Sequence, residues 1–365
     1  MDLADIVRQH APAYLRKYGT RMPIAHRKAI DAILRCHTPA CGGSLYACDG
    51  CGRQRFAYHR CGHRACNQCG HPQQETWLAA QLERLLPVGY FLVTFTIPKE
   101  LRPIFRAHQR LCYDALFAES AGALQDVAGH ERYLGGELGC LGVLHTWSRQ
   151  LVYHPHVHYL VPAVALRADG TLCFPKDPEY LLPVQRLGAR FRSRLRRRLR
   201  EADPALIARV PARTWRKPWV VHSQSAGRGP EALSYLARYV QKTAISGTRL
   251  LDQDAQRVTF SYRESGTNIE RTLALSGEHF LQRFLQHVLP KGFRRVRSYG
   301  WLSPAAKRRL EEVRTLLDAP VASVVARVIR PAAAVSVCCP QCSGPMRRIA
   351  DFGRAPPPPV TSDEQ

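Results

Sequence analysis

The sequence predicts an α+β protein preceded by a small metal-held domain, and three observations carry that expectation. Seven cysteines crowd into the short, Gly-rich stretch from Cys36 to Cys69. Such a segment lacks the apolar residues for a core of its own, and clustered thiols in a reducing compartment mark metal binding more often than disulfides. Beyond it the hydrophobic period switches repeatedly between two and 3.6, so strands and helices share the remaining chain.

The amino-terminal residues 1–35 read as helical, most clearly from Ala25 to Leu34, where Ile30, Ile33 and Leu34 recur at helical spacing. A helix is predicted from Gln73 to Leu86, stopped near Pro87. At Tyr90 the texture changes. In YFLVTFTIP, Phe91, Val93, Phe95 and Ile97 alternate with Leu92, Thr94 and Thr96, which is a strand ended by Pro98. Helical spacing resumes from Pro103 to Ala128, strands follow at 139–146 and 151–161, and helices at 184–201 and 233–246. RVTFSYRESGTNIERTLAL reads as a β-hairpin turning at Gly266 and Asn268, and EHFLQRFLQHVL as a helix ended by Pro290. The segments suggest three parts: a helical and zinc-binding region (1–86), a main domain (87–303), and a basic carboxy-terminal region with a Cys cluster and a disordered Pro-rich tail (304–365).

The chain has 365 residues, with 53 Lys and Arg against 29 Asp and Glu, a formal net charge of +24. With 45% hydrophobic and 22% charged residues it is globular rather than disordered, and so large a positive excess points to a polyanion, above all nucleic acid. No apolar run reaches the roughly 18 residues of a membrane-spanning helix. The start, MDLADIVRQH, has no apolar core of a secretory signal, so a cytoplasmic, nucleoid-associated protein without membrane contact is expected.

Cys48-x2-Cys51 is followed by Cys66-x2-Cys69. Each pair bites one ion from a tight turn, and two pairs complete the sulfur tetrahedron of structural zinc. Cys48, Cys51, Cys66 and Cys69 are therefore the expected structural Zn2+ ligands. Cys36 and Cys61, with His59, His63 or His71, are candidates for a second site. Cys339-Pro-Gln-Cys342, beside Cys338, is half a knuckle: it either finds ligands elsewhere or stays an unmetallated turn.

His156-Val157-His158 lies in an apolar strand, so both imidazoles face one way and Val157 the other. A lone His-x-His is weak evidence, but His145, His154, His156 and His158 fall close together, and unpartnered imidazoles are costly to bury. His156 and His158 are expected to hold a divalent cation, Mg2+ or Mn2+, with His145, Gln150 or His154 as a third ligand. His154 shares their parity, although Pro155 is placed to bend the strand. In SYLARYVQKTAIS, Tyr235, Tyr239 and Lys242 share one helical face within about 60°. A phenol becomes a nucleophile once a cation stabilises its phenolate, although a Tyr/Leu core stripe has the same spacing. RLGARFRSRLRRRLR (186–200) carries eight Arg and no acid over an apolar stripe of Leu187, Phe191, Leu195 and Leu199. Arg190, Arg194, Arg197 and Arg198 are DNA-binding candidates. So are Arg294, Arg295 and Arg297, interleaved with Phe293, Tyr299 and Trp301, whose rings suit base stacking or core packing equally.

Together these motifs resemble the two-tyrosine, HUH-type rolling-circle transposases of bacterial insertion sequences, with their amino-terminal zinc-binding domain. His156-Val157-His158 is similar to the His-hydrophobic-His motif and Tyr235-Leu-Ala-Arg-Tyr239 to the two-tyrosine motif. LHTWSRQLVYHPHVHYLV, VTFSYRES and HFLQRFLQHVLPKGFRRVRSYGWL also look like blocks of that family, and the likeness runs from about residue 5 to 345. Arg64-Ala65-Cys66-Asn67 departs from the family's RHCP-type turn. The resemblance implies a central antiparallel sheet with flanking helices, the HUH strand at its middle and the tyrosine helix across it. It implies cleavage and transfer of single-stranded DNA, at element ends and target, through 5′-phosphotyrosine links. Tyr239, nearer Lys242, is then the indispensable nucleophile and Tyr235 the second. The sequence alternatives are a replication initiator or relaxase with the same chemistry, and a non-catalytic zinc-dependent DNA-binding regulator. Oligomeric state is not encoded in any of these motifs.

Overall fold

The computed structural model describes residues 1–69, 81, 84–228, 231, 243–264, 266–318 and 337–354. Tyr235, Tyr239, Lys242 and His71 lie outside the described residues, as do nearly all of the helices expected over 73–86 and 233–246.

In chain order the first elements are α1 (Leu3–Tyr18), α2 (Ile24–Arg35), β1 (Gly43–Cys48) and β2 (Gln54–Tyr58). Then come β3 (Gly89–Thr96), α3 (Arg102–Ala107), α4 (Gln109–Ala128), β4 (Glu137–Leu138), β5 (Cys140–Trp147), β6 (Tyr153–Pro162), β7 (Ala165–Leu166) and β8 (Leu172–Cys173). They are followed by α5 (Val184–Ala202), α6 (Pro204–Ala208), β9 (Val221–Arg228), β10 (Leu250–Gln253), β11 (Arg257–Arg263) and β12 (Glu270–Ser276). The last are α7 (Gly277–Leu285), β13 (Val296–Tyr299), α8 (Lys307–Leu316) and β14 (Met346–Phe352).

These elements form two compact units that interleave in sequence. Met1–Pro72, Ile245–Val288 and Ile329–Gln365 make one, and Gln73–Ala244 with Leu289–Val328 the other. The sequence reading divides the chain into the consecutive parts 1–86, 87–303 and 304–365, whereas these compact units are not consecutive along the chain. The hairpin β11–β12 and α7 leave the middle of the chain to pack with the amino-terminal helices.

The physical reason lies in α7. Its buried face, Phe280, Leu281, Phe284 and Leu285, needs an apolar partner, and α1 supplies one with Leu3, Ile6, Val7 and Tyr14. Phe260 of β11 meets Phe280 with ring centroids 6.1 Å apart, and Lys17 of α1 binds Glu278 at 2.9 Å. In the same unit β14 pairs with β1 and β1 with β2, all antiparallel. The hairpin turn falls at Gly266 and Asn268 as predicted, both with positive φ.

The second unit is built on an antiparallel sheet in the order β13–β5–β6–β3–β9. Strand β6, which carries His156 and His158, is therefore central, and the expected flanking helices are present. Strand parity sorts its two faces. Val157, Tyr159 and Val161 of β6, Phe91, Val93 and Phe95 of β3, and Leu144 of β5 join the core beneath α4 and α5. The Tyr159 hydroxyl, buried there, donates to the Phe117 carbonyl at 2.9 Å, which offsets its desolvation.

The apolar stripe of α5 is as the spacing predicts: Leu187, Phe191, Leu195 and Leu199 are all fully buried. Each contributes about 1.5–3 kcal/mol on leaving water. Phe191 packs edge-on to Phe95 of the sheet, centroids 5.2 Å apart. Gly188 permits the close approach, since a Cβ there would lie 2.6 Å from the Trp219 carbonyl oxygen.

Candidate metal centres and nucleic-acid interface

Among the described residues three groups of metal-ligating side chains converge. The first is on the second face of the central sheet. His156 and His158 lie on that face by strand parity, as expected. Across the ladder His145 of β5 is the register partner of His156, so it joins the same face. The ring nitrogens of His145, His156 and His158 lie within 4.8 Å of one another. His145 and His158 are buried, and His156 is half-buried.

His154 is not brought into this group. Between His145 and Trp147 the β5–β6 register shifts, with an extra residue on β6 at His154-Pro155. This bulge breaks the simple parity, and His154 instead accepts a hydrogen bond from Arg102 at 2.6 Å. Gln150 lies exposed in the connecting turn between β5 and β6.

Two hydrogen bonds orient the rings. Nδ1 of His156 donates to the His154 carbonyl at 2.6 Å, because a carbonyl can only accept. Its Nε2 is thereby left with a lone pair. Nδ1 of His158 pairs with Thr94 Oγ1 at 2.8 Å. Burial pushes the His156 imidazole down to about 4 and His154 to about 4, the latter with help from the Arg102 charge. At His156 the ring is thus neutral with its Nε2 lone pair available, as a cation needs, and an all-imidazole set suits Mn2+ better than Mg2+. The sequence reading missed Thr94. Its signal was there, since Thr94 and Thr96 are the polar side of an otherwise apolar strand and sit opposite His158 and His156.

The other two groups are thiol tetrads, and their membership differs from the expected Cys48, Cys51, Cys66 and Cys69. Cys66 and Cys69 join Cys36 and Cys61, while Cys48 and Cys51 join Cys339 and Cys342. In the first tetrad Sγ–Sγ distances are 3.3 Å for Cys61–Cys69, 3.5 Å for Cys36–Cys69 and 3.6 Å for Cys36–Cys66. In the second they are 3.4 Å for Cys48–Cys342, 3.5 Å for Cys51–Cys339 and 3.6 Å for Cys51–Cys342. A zinc tetrahedron with Zn–S of about 2.3 Å has edges of about 3.8 Å, so both tetrads fit the ion closely. All these cysteines are free thiols.

Neither cage needs a histidine. His59 is exposed, and His63 Nδ1 accepts the Ala65 amide at 3.2 Å. Amides support the sulfurs instead: Gly62 N–H donates to Cys69 at 3.3 Å and His63 N–H to Cys61 at 3.5 Å. The hydrogen bond from Cys66 draws the Cys61 thiol down to about 5 and pushes Cys66 far up. The knuckle amides of Cys342 and Gln341 hold Cys339 at about 6. The backbone amide of Cys51 likewise lowers Cys48, so the thiolate form is favoured at Cys61 in one tetrad and at Cys48 and Cys339 in the other.

The arginines divide in two. Arg190 pairs with Asp126 of α4, and Arg194 bonds Glu119 at 3.0 Å and Asp126 at 2.8 Å. The missing acids of the arginine-rich segment are supplied by another helix, so these two arginines clamp α5 to α4. Arg197 and Arg198 are exposed. Arg297 pairs with Asp114 and lies over the rings of Phe117 and Phe293, at 4.6 and 4.9 Å. Arg294 is exposed and Arg295 half-buried. Phe293 and Trp301 are buried in the core, so core packing wins over base stacking for both.

Comparison with known proteins agrees with this layout. Residues 6–97 match the family model "Transposase zinc-binding domain", and 139–309 match that of "Putative transposase". A "Putative transposase y4qJ" of Sinorhizobium fredii (strain NBRC 101917 / NGR234) is 35% identical over 339 residues, 88% of this chain and 85% of that protein. The "Transposase for insertion sequence element IS801" of Pseudomonas savastanoi pv. phaseolicola is 30% identical over 303 residues, 76% of this chain and 70% of that one. The conjugative relaxase TrwC, solved with oriT DNA and free of metal, aligns at 13% identity and a TM-score of 0.25 over 63% of this chain and 73% of that one. Sheet, cysteine-rich front and matched domains together define an enzyme acting on DNA with a structural zinc domain. The chain belongs to the family of insertion-sequence transposases of the IS801/IS91 type. No helix among its described residues is long and apolar enough to cross a membrane.

Proposed function

We propose that this transposase cuts and transfers single-stranded DNA by rolling-circle chemistry, at a divalent cation held by His145, His156 and His158. The convergence of these three imidazoles on one face of the central strand carries the reading. His145, His156 and His158 would hold the cation, which when bound would supply charge neutralisation for a scissile phosphate. Tyr239 is the indispensable nucleophile and Tyr235 the second. The phenol oxygen forms a bond to phosphorus, the P–O3′ bond breaks, and the strand keeps a free 3′-OH. The phenol proton leaves with solvent and the departing 3′ oxygen gains one. Because a phosphodiester is exchanged for a phosphodiester, the 3′-OH of a target strand reverses the step without ATP. Lys242, three residues beyond Tyr239, stabilises the phenolate. Exposed Arg197, Arg198 and Arg294 supply phosphate contacts on element ends and target DNA within the nucleoid.

The test is end-labelled single-stranded DNA carrying the element's ends, incubated with Mn2+ and run on a denaturing gel. The expected result is a covalent protein–DNA band that Tyr239→Phe combined with Tyr235→Phe abolishes. Tight binding with no covalent band under any divalent ion would make the protein a DNA-binding regulator instead.

A further inference from the structure

The zinc-binding family match ends at residue 97, yet one of the two thiol tetrads draws half its ligands from Cys339 and Cys342. We propose that Cys48, Cys51, Cys339 and Cys342 form a second, composite zinc site that clasps the carboxy-terminal strand to the amino-terminal domain, separate from the Cys36, Cys61, Cys66 and Cys69 site.

The two halves are built alike. Cys48-Asp49-Gly50-Cys51 turns back so that Gly52 N–H donates to the Cys48 carbonyl at 2.9 Å, and Gly52 takes φ +71°. Cys339-Pro340-Gln341-Cys342 does the same: Ser343 N–H donates to the Cys339 carbonyl at 2.9 Å, and Ser343 takes φ +57°. The next bonds match too, Cys48 N–H to Arg53 O at 2.9 Å and Cys339 N–H to Gly344 O at 2.8 Å. Each half is thus a complete zinc knuckle.

Each knuckle also leads into a strand of one sheet. β14 lies antiparallel to β1 with Cys48 opposite Met346 and Gly43 opposite Phe352. Ser44 donates to Asp351 across that pair at 2.6 Å. Little apolar burial supports the junction: Cys48, Cys339 and Met346 are its buried cluster, with Tyr46 and Val337 packed against them. A three-stranded sheet with so small a core is marginal without a staple, and zinc on four thiolates supplies one. The strained Ser343 fits this role, because a non-glycine in the left-handed region persists only where its surroundings fix it.

The separation along the chain is no obstacle. Cys48 and Cys342 are 294 residues apart, but closure entropy grows only logarithmically with length, and folding of the intervening chain has already brought the ends together.

The test uses the full chain. Metal analysis is expected to give two zinc ions per chain, and Cys339→Ser with Cys342→Ser one. A protease site inserted between residues 320 and 336 then reads the clasp directly. After cleavage the carboxy-terminal piece of the unmutated-cysteine protein co-elutes with the rest on gel filtration. In the double-serine variant it separates while one zinc stays bound. One zinc in the parent protein, two in the double variant, or separation of the cleaved piece with both zinc ions present would each overturn the proposal. The cleaved parent protein keeps the test decisive even should the serine variant fold poorly.

Discussion

The thiol tetrads and the imidazole triad are opposite solutions to holding a cation. Each tetrad closes four sulfurs around one point, with distances near a finished tetrahedron and amides turned toward the sulfur. Nothing is left open for a substrate, so such a cage stabilises structure and does no chemistry. The triad offers three nitrogens from two neighbouring strands of a rigid sheet. Its support comes from a carbonyl and a threonine hydroxyl that set ring orientation. Metal loss should therefore unfold one region and merely silence the other.

The largest effect is expected at the tetrads. Structural zinc on four thiolates is worth on the order of 10 kcal/mol to folding, more than a small domain can lose. Cys61→Ser should therefore abolish the circular-dichroism and proteolysis signature of a folded amino-terminal region. A variant that melts like the parent protein would mean the cage is not structural.

His156→Ala with His158→Ala should show the contrary pattern. On the proposed mechanism, removing two of the cation's three ligands is expected to cost several kcal/mol of transition-state stabilisation, about a thousandfold or more in cleavage of single-stranded DNA. The melting temperature should hold within a few degrees, because the rings sit on a sheet whose other face carries the main core. Cleavage at the parent rate in that variant would remove the triad from the mechanism.

A smaller step separates the two designs further. Thr94→Val keeps the shape of the side chain but removes the hydroxyl that meets His158. Loss of such a supporting bond typically weakens metal affinity about 10–100-fold, which Mn2+ titration followed by paramagnetic resonance would read. An unchanged affinity would mean that the ladder alone positions His158.

The sequence shows these regions unequally. The shared face of His156 and His158 was legible because parity is local: residues two apart share a face whatever the rest of the chain does. His145 was one of three candidates because its selection depends on cross-strand register, and the bulge at His154-Pro155 shifts that register. The cysteines misled for a related reason. Pairing the CxxC units nearest in sequence assumes that closeness along the chain means closeness in space. Here Cys48 and Cys51 find their partners beyond residue 337, while Cys36 and Cys61 complete the other cage. The helix α5 repeats the lesson. Its leucine stripe was plain, but the acids that hold Arg190 and Arg194 come from α4 and leave no local trace. The same limit hides the two interleaved units, since no pattern within 245–288 announces that α7 packs on α1.

The smallest expected effect is a pH dependence carried by the buried imidazoles of the sheet. Burial holds His154 and His156 at about 4, against about 6.5 for imidazole in an unfolded chain. Between these values the unfolded chain binds protons that the folded one refuses, so stability must rise with pH across that interval. It is fully present above about pH 6.5 and is lost progressively as the pH falls toward 4. Thermal melts of protein stripped of Mn2+ but not zinc should therefore fall by a few degrees from pH 7 to pH 5. His156→Asn should flatten the slope, because an amide keeps the hydrogen bond to the His154 carbonyl without a proton to gain. An equally steep slope in that variant would place the titration elsewhere and leave His156 free of the burial that makes it a ready ligand.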